Sequence, residues 1–284
     1  MLRSLSTGVS GLQQFQQQMD VIGNNISNVN TTAYKGSQAN FADAFSVSLQ
    51  GQASSSMQVG TGVTTGEITN AFSQGTLTET GAPSHLAIDG NGFFVVRNTI
   101  TDEQFLTRDG TFHTDKDGYL ITAGGMRVQG FSEAGATPDV VGAARGDVRI
   151  DLTGAPAPLD PLVAQGIQKY SIDDTGKITA RLNDGREFVR GQVLMHNVRD
   201  PQVLEKAGDN LYSGFQNAGL VTADPTVAGT AGLGSIKSGK LETSNVDLAA
   251  QFSAMIRTQR AFQASARIIS TSDEFLQELV NLKR

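Results

Sequence analysis

The chain has 284 residues, enough for two ordinary domains or for one domain with terminal helices. Its formal charge is −6 and only 18% of its residues are charged, so it carries no basic footprint for nucleic acid. Zero cysteines exclude disulfides and thiolate metal sites, and no run approaches the ~20 apolar residues needed for membrane insertion.

The opening Met1-Leu2-Arg3-Ser4-Leu5-Ser6 lacks the continuous apolar stretch of a secretory signal peptide. From there Leu5, Gly8, Leu12, Phe15, Met19, Ile22, Ile26 and Val29 alternate spacings of three and four. That is the seam of a helix that offers one stripe to a partner helix. Gly8, Gly11 and Gly23 each cost such a helix roughly 1 kcal/mol against alanine, so it persists only when its seam is buried. The run of Asn and Ser from Asn24 to Asn30 competes for backbone hydrogen bonds and predicts the helix end.

Residues 31 to about 84 form a transition zone. Phe41, Phe45, Val47 and Leu49 suggest a short amphipathic turn, and Gln50 to Gly62 reads as an aperiodic loop. From Leu86 the period becomes two. Leu86-Ala87-Ile88 and Phe93-Phe94-Val95-Val96 flank Asp89-Gly90-Asn91-Gly92, and Asp109-Gly110, Asp117-Gly118 and Gly124-Gly125 follow. Such pairs supply the positive φ values of tight turns and predict antiparallel hairpins. The Pro-rich stretch 132–168 is expected to be a loop or a small excursion. Hairpins resume around Asp174-Thr175-Gly176 and Asn183-Asp184-Gly185, with strands at Tyr170–Ile172, Ile178–Leu182 and Phe188–Val198. The Gly/Ala/Thr stretch 214–234 loosens again. Ser244-Asn245-Val246-Asp247 then matches a capping box before a second helix. In that helix Leu248, Phe252, Met255, Gln259, Phe262, Ala266, Ile269, Asp273, Leu276 and Val280 repeat the four–three spacing, and only Gln259 and Asp273 break its apolarity.

The expected fold is therefore α+β. Helices in 1–30 and 246–284 pair in a coiled-coil-like inner domain, segments 31–84 and 201–245 connect, and 85–200 form a central antiparallel β-rich domain.

At Met19-Asp20-Val21-Ile22-Gly23-Asn24-Asn25-Ile26-Ser27-Asn28-Val29-Asn30-Thr31 the sequence resembles the bacterial flagellar rod and hook protein family. Gln74-Gly75-Thr76-Leu77, Leu86 to Val96, Gly208-Asp209-Asn210-Leu211-Tyr212, Gly239 to Leu248 and Gln259 to Ala264 agree with it, in the right order. The resemblance implies terminal helices lining the channel of a tubular homopolymer, with a β-rich domain outside. It also implies other axial proteins as partners (rod, hook–filament junction, hook cap) and export through the flagellar apparatus without signal cleavage. Location in the flagellar hook or basal body follows. The stretches Ala39 to Phe45, Asn197 to Gln202 and Met1 to Leu5 are similar to the hook protein, while the length is closer to a rod protein. The leading expectation is a hook subunit that transmits torque from rod to filament, with a rod subunit as the alternative.

Nothing in the sequence calls for catalysis or a cofactor. Gly234 to Lys240 has the outline of a phosphate-binding loop, but Leu241 stands where a hydroxyl must meet Mg²⁺. His85, His113 and His196 sit on separate segments without metal-ligand spacing, and Ser84-His85 with Asp89 lacks a nucleophile elbow. Asp115-Lys116-Asp117-Gly118 begins like a calcium loop but its glycine comes too early. A remote alternative is an extracellular β-domain enzyme or binding module. The expected active surface is the self-assembly seam: Leu5, Leu12, Phe15, Met19, Ile22, Ile26, Val29, Leu248, Phe252, Met255, Phe262, Ile269, Leu276 and Val280.

Overall fold

The computed structural model describes residues 2–49, 57–132, 144–152 and 167–282, with the side chains of 2–4, 47–49 and 57–59 excepted. The chain divides into two compact units. One comprises Met1–Val29, Lys35–Phe72 and Val246–Arg284, the other Asn30–Tyr34 and Ser73–Asn245.

The first unit holds α1 (Leu2–Ser27), β1 (Ser37–Asp43), β2 (Ser46–Leu49), β3 (Met57–Gly60), β4 (Val63–Asn70) and α2 (Leu248–Leu282). The helix end falls in the asparagine run: Asn28 Nδ2 donates to the Asn24 carbonyl at 2.9 Å and Ser27 Oγ to the Gly23 carbonyl at 2.9 Å. Two sequence expectations are corrected here. The segment around Phe41 is not an amphipathic turn, because β1 pairs antiparallel with β4 and β2 with β3. Within the stretch expected to be loop, Met57–Gly60 is strand, while 50–56 lie outside the described residues. A lone two-stranded ribbon is marginal in water. This one leans on α1, where Phe15 meets Phe41 edge to face at 6.4 Å and the Thr65 hydroxyl lies within reach of the Gln14 and Gln17 amides (2.6 and 2.7 Å). The cap of α2 is also simpler than expected. Asp247 itself accepts from the backbone N–H groups of Ala249 (2.8 Å) and Ala250 (3.3 Å), so Asp247 rather than Ser244 starts the helix.

The second unit is antiparallel β. Its strands are β5 (Leu77–Glu79), β6 (Leu86–Asp89), β7 (Phe93–Arg97), β8 (Gln104–Thr107), β9 (His113–Thr114), β10 (Leu120–Ile121), β11 (Arg127–Phe131) and β12 (Arg145–Asp147). They continue with β13 (Ile167–Ile172), β14 (Lys177–Leu182), β15 (Glu187–His196), β16 (Glu205–Gly208), β17 (Leu211–Ser213), β18 (Thr226–Val227), β19 (Ser235–Ser238) and β20 (Lys240–Glu242). Among the described residues twelve strands form one sheet, with the path β13-β14-β15-β11-β7-β8-β17-β16. Gly118, Gly125, Gly176 and Gly185 take φ between +78° and +84° at four of its tight turns, as the Asp-Gly, Gly-Gly and Asp-Thr-Gly sequences there require.

The first expected hairpin does not form. β6 pairs with β19, not with β7. The Gly234 N–H donates to the Asn91 carbonyl at 2.7 Å, and a Cβ on Gly90 would come within 2.9 Å of Gly234 Cα. The glycines of Asp89–Gly92 therefore make room for a distant segment rather than close a two-residue turn. The segment outlined as a phosphate loop is β19 running into β20, with Ile236 fully buried. Of the expected excursion at 132–168, residues 144–152 are described and contain β12, which pairs with β11; 133–143 and 153–166 lie outside the described residues. Leu86, Ile88, Phe94, Val96, Phe112 and Met195 belong to one core cluster of this unit.

Candidate functional site

The candidate site is the helix pair of the first unit, and its geometry begins with two glycines. A Cβ on Gly8 would sit 3.1 Å from Ile269 Cγ1, and one on Gly11 would sit 3.3 Å from Ser265 Oγ. Farther along, Asn25 Nδ2 lies 3.4 Å from Gln251 Oε1. As the α1 number rises the α2 number falls, so the helices run antiparallel. Glycine and serine at the contact let the backbones approach closely.

The contact line shares Gly8, Ile22 and Ile269 with the expected seam, while Gly11, Asn25, Gln251, Thr258, Ser265 and Ser272 sit one position away from it. On α2 the buried residues are Thr258 and Ser272, four and eight per cent exposed, on the heptad shared by Gln251 and Ser265. Their hydroxyls are satisfied by the carbonyls four residues back, Ala254 at 2.9 Å and Ile268 at 2.7 Å. On α1 the buried residues are Gly8, Gly11, Ile22 and Asn25. Of the expected seam Gly8 and Ile22 are buried. Leu5, Leu12, Phe15, Met19, Ile26, Val29, Met255, Phe262, Ile269 and Leu276 are half-buried, and Leu248, Phe252 and Val280 are exposed. In an antiparallel pair, positions one residue beyond the line on either helix turn to the same side. Leu12, Met19 and Ile26 thus share a side with Phe252 and Val280.

Further apolar side chains are exposed on α2: Ile256 (59%), Ile268 (47%), Phe275 (61%), Leu279 (49%) and Leu282 (82%). With 35 residues against 26, α2 runs past the start of α1, and Phe275 to Leu282 occupy that overhang. A soluble subunit rarely displays such a row of large apolar groups without a partner for it.

Sequence reasoning missed Asn25, which it read only as a helix terminator. Its side chain donates to the Ser37 carbonyl at 2.7 Å and accepts from the Ser37 N–H at 2.9 Å, which fixes the return of the chain into β1. Its position on the contact line, three residues after Ile22, was the available signal.

In the second unit the histidines and acids considered above are not assembled into a catalytic site. His85 Nδ1 faces Thr80 Oγ1 at 2.9 Å, while Gln74 Nε2 donates to Asp89 at 3.4 Å. Asp115 to Gly118 is a hairpin turn, with Gly118 N–H on the Asp115 carbonyl at 2.9 Å. Among the described residues no cluster of three or more potential metal ligands occurs. One buried ion pair stands out. Arg108 and Glu242, whose side chains are 5% and 0% exposed, approach to 3.5 Å, and the Arg108 guanidinium lies over the Phe93 ring at 5.2 Å. Burial pushes the Arg108 pKa down, and Glu242 opposes that shift. The Glu242 carboxylate also accepts from the Gly75 N–H at 2.8 Å, and its backbone carbonyl accepts from Ala33 at 2.8 Å. Asp147 is another hub. Burial raises its pKa, but hydrogen bonds from Arg127, Gln129 and Arg97 together outweigh burial and hold it below 3.8.

Two rods with an exposed apolar stripe, joined in sequence to a β-sheet unit, define a subunit built to associate. Comparison with known proteins agrees. Three family profiles match in order: "Flagella basal body rod protein" over residues 5–35, "Flagellar hook protein FlgE/F/G D1 domain" over 87–180 and "Flagellar basal body rod FlgEFG protein C-terminal" over 237–282. The flagellar basal-body rod protein FlgG of Bacillus subtilis is 38% identical, with the whole of both chains covered. The flagellar hook protein FlgE of Borreliella burgdorferi is 27% identical, also over the whole of both chains, and FlgG of Caulobacter vibrioides is 30% identical over 99% of this chain and 100% of its own. The chain belongs to the flagellar rod and hook family of axial proteins. It is a structural subunit of the bacterial flagellar axis.

Proposed function

We propose that the subunit polymerises into a tube through its terminal helices, which pair in coiled-coil fashion, and that the tube is the flagellar hook, transmitting torque from rod to filament. The observation that carries the assembly reading is the row of exposed large apolar groups on α2, from Phe252 to Leu282. Full burial of each contributes ~1.5–3 kcal/mol, offset in part by ordering. The stripe formed by Leu12, Met19 and Ile26 with Phe252 and Val280 is the surface expected to meet neighbouring copies. The half-buried Leu5, Phe15, Val29, Met255, Phe262, Ile269 and Leu276 back it. Other axial proteins would stack on either end by the same contacts, and export through the flagellar apparatus without signal cleavage fits a chain free of cross-links.

Support for a hook place in the axis comes from the stretch Ala39 to Phe45 and from full-length similarity to a hook protein. Length favours a second reading as a rod subunit. Rod relatives align over 288 to 293 positions, close to the 284 of this chain, whereas two hook relatives need 409 and 445. Electron microscopy of basal bodies from cells lacking the protein separates the two. A complete rod without a hook is expected; a truncated rod assigns the chain to the rod, and an intact axis overturns both.

A further inference from the structure

The charges on α2 are sorted along its length. From Leu248 to Ser272 the helix carries Arg257, Arg260 and Arg267 and no acid. From Asp273 to Leu282 it carries Asp273, Glu274 and Glu278 and no base; Lys283 and Arg284 follow outside the described residues. Arg257, Arg260, Glu274 and Glu278 are all exposed, and among the described residues none of the four has an ion-pair partner or a side-chain hydrogen bond.

Each pair of charges sits beside a pair of exposed apolar groups. Phe252 and Ile256 stand one turn apart next to Arg257 and Arg260, and Phe275 and Leu279 stand one turn apart next to Glu274 and Glu278. Glu274 and Glu278 are spaced i, i+4, and Arg257 and Arg260 are spaced i, i+3, so each pair repels within the helix. A partner of opposite charge would cancel that repulsion. The two patches thus have the same make-up and opposite signs, and nothing in the subunit covers either.

They cannot cover each other within one chain. α2 is a single continuous helix, and Phe252 and Phe275 lie roughly 35 Å apart along it. A patch set on its own equivalent in a second copy would bring acid onto acid or arginine onto arginine, which is unfavourable. The end of one copy on the start of another satisfies both signs and covers both apolar pairs. A contact between unlike surfaces also leaves each copy with a free patch for the next, the condition for an open polymer. We propose that copies join head to tail, the acidic end of α2 in one copy seating on the arginine-bearing first half of α2 in the next. This rests on the assembly reading and adds to it a polarity and a register set by charge.

The test uses the full chain and two charge-reversed variants, Glu274→Arg with Glu278→Arg and Arg257→Glu with Arg260→Glu. Exposed ion pairs are worth little singly, but each variant swings two of them from attraction to repulsion. Each alone should need about tenfold more protein to assemble than the wild type, read by sedimentation and negative-stain microscopy. Mixed in equal amounts, the reversed end of the first variant meets the reversed start of the second, and the two unaltered patches match as well. The mixture should assemble into tubes at the wild-type concentration, and so should one chain carrying all four changes. An unchanged thermal melt of the β-sheet unit shows that the variants fold. Either variant assembling alone like the wild type overturns the proposal, and so does a mixture no better than its components. Assemblies that stop at two copies overturn it too, because they mean a closed side-by-side pair. A wild-type chain that forms no polymer removes the assembly reading and this contact with it, whereas normal wild-type tubes with indifferent variants remove this contact alone.

Discussion

Replacing Phe252 and Phe275 together by aspartate should abolish tube formation while leaving the β-sheet unit folded. Both are already exposed in the subunit, by 50% and 61%, so the monomer loses little contact when they are replaced. The cost falls on the polymer, where burying what remains exposed of both would contribute roughly 2–3 kcal/mol. That corresponds to about one to two orders of magnitude in the concentration needed for assembly, before the penalty of burying two carboxylates. Sedimentation and negative-stain microscopy measure the loss, and the thermal melt of the β-sheet unit serves as the internal control. Phe252→Leu with Phe275→Leu should assemble. Normal tubes from the aspartate variant at the wild-type concentration would remove α2 from the interface.

The second large effect concerns the buried pair in the other unit. Arg108→Met leaves the fully buried Glu242 carboxylate without its counter-charge, and the expected loss is about 3–5 kcal/mol of stability. Adding Glu242→Leu should recover most of it, because two apolar groups of similar volume avoid the desolvation that the ion pair suffers. Urea unfolding of the single and double variants reads this directly. A single variant as stable as the wild type would show that the carboxylate is already satisfied by Gly75 and its other neighbours. Helix assembly is not needed for this result, so it separates the two units experimentally.

The helices were legible because their three–four spacing survives interruptions by Gln259 and Asp273. Their contact line was legible only in part, because most of the residues that form it are small or polar. Gly11, Ser265 and Ser272 carry no hydrophobic signal, whereas Leu12 and Phe252, each one position beyond the line, do. Reading the spacing of apolar and small residues therefore caught Gly8, Ile22 and Ile269 on the line the pair uses, and elsewhere the positions one residue beyond it. The β-structure was legible wherever an Asp-Gly or Gly-Gly pair closes a local turn, as at Gly118 and Gly185. It was not where glycine admits a distant segment, as Gly90 admits Gly234, since long-range pairing leaves no local trace. The pairing of Arg108 with Glu242 was invisible for the same reason: 133 residues lie between them and no motif links them.

The thin contact between α1 and α2 has a thermal consequence. A line of mostly glycine, serine and threonine, with Ile22 and Ile269 among them, removes less hydrocarbon from water than large side chains would, so joining the two rods changes heat capacity modestly. Covering Phe252, Ile256, Phe275 and Val280 with a neighbouring copy would remove more, and the expected signature of that step is a negative heat-capacity change. Attraction of this kind fades on cooling. Chilled tubes should therefore shed subunits from their ends while the sheet of each subunit stays intact, and warming should restore them.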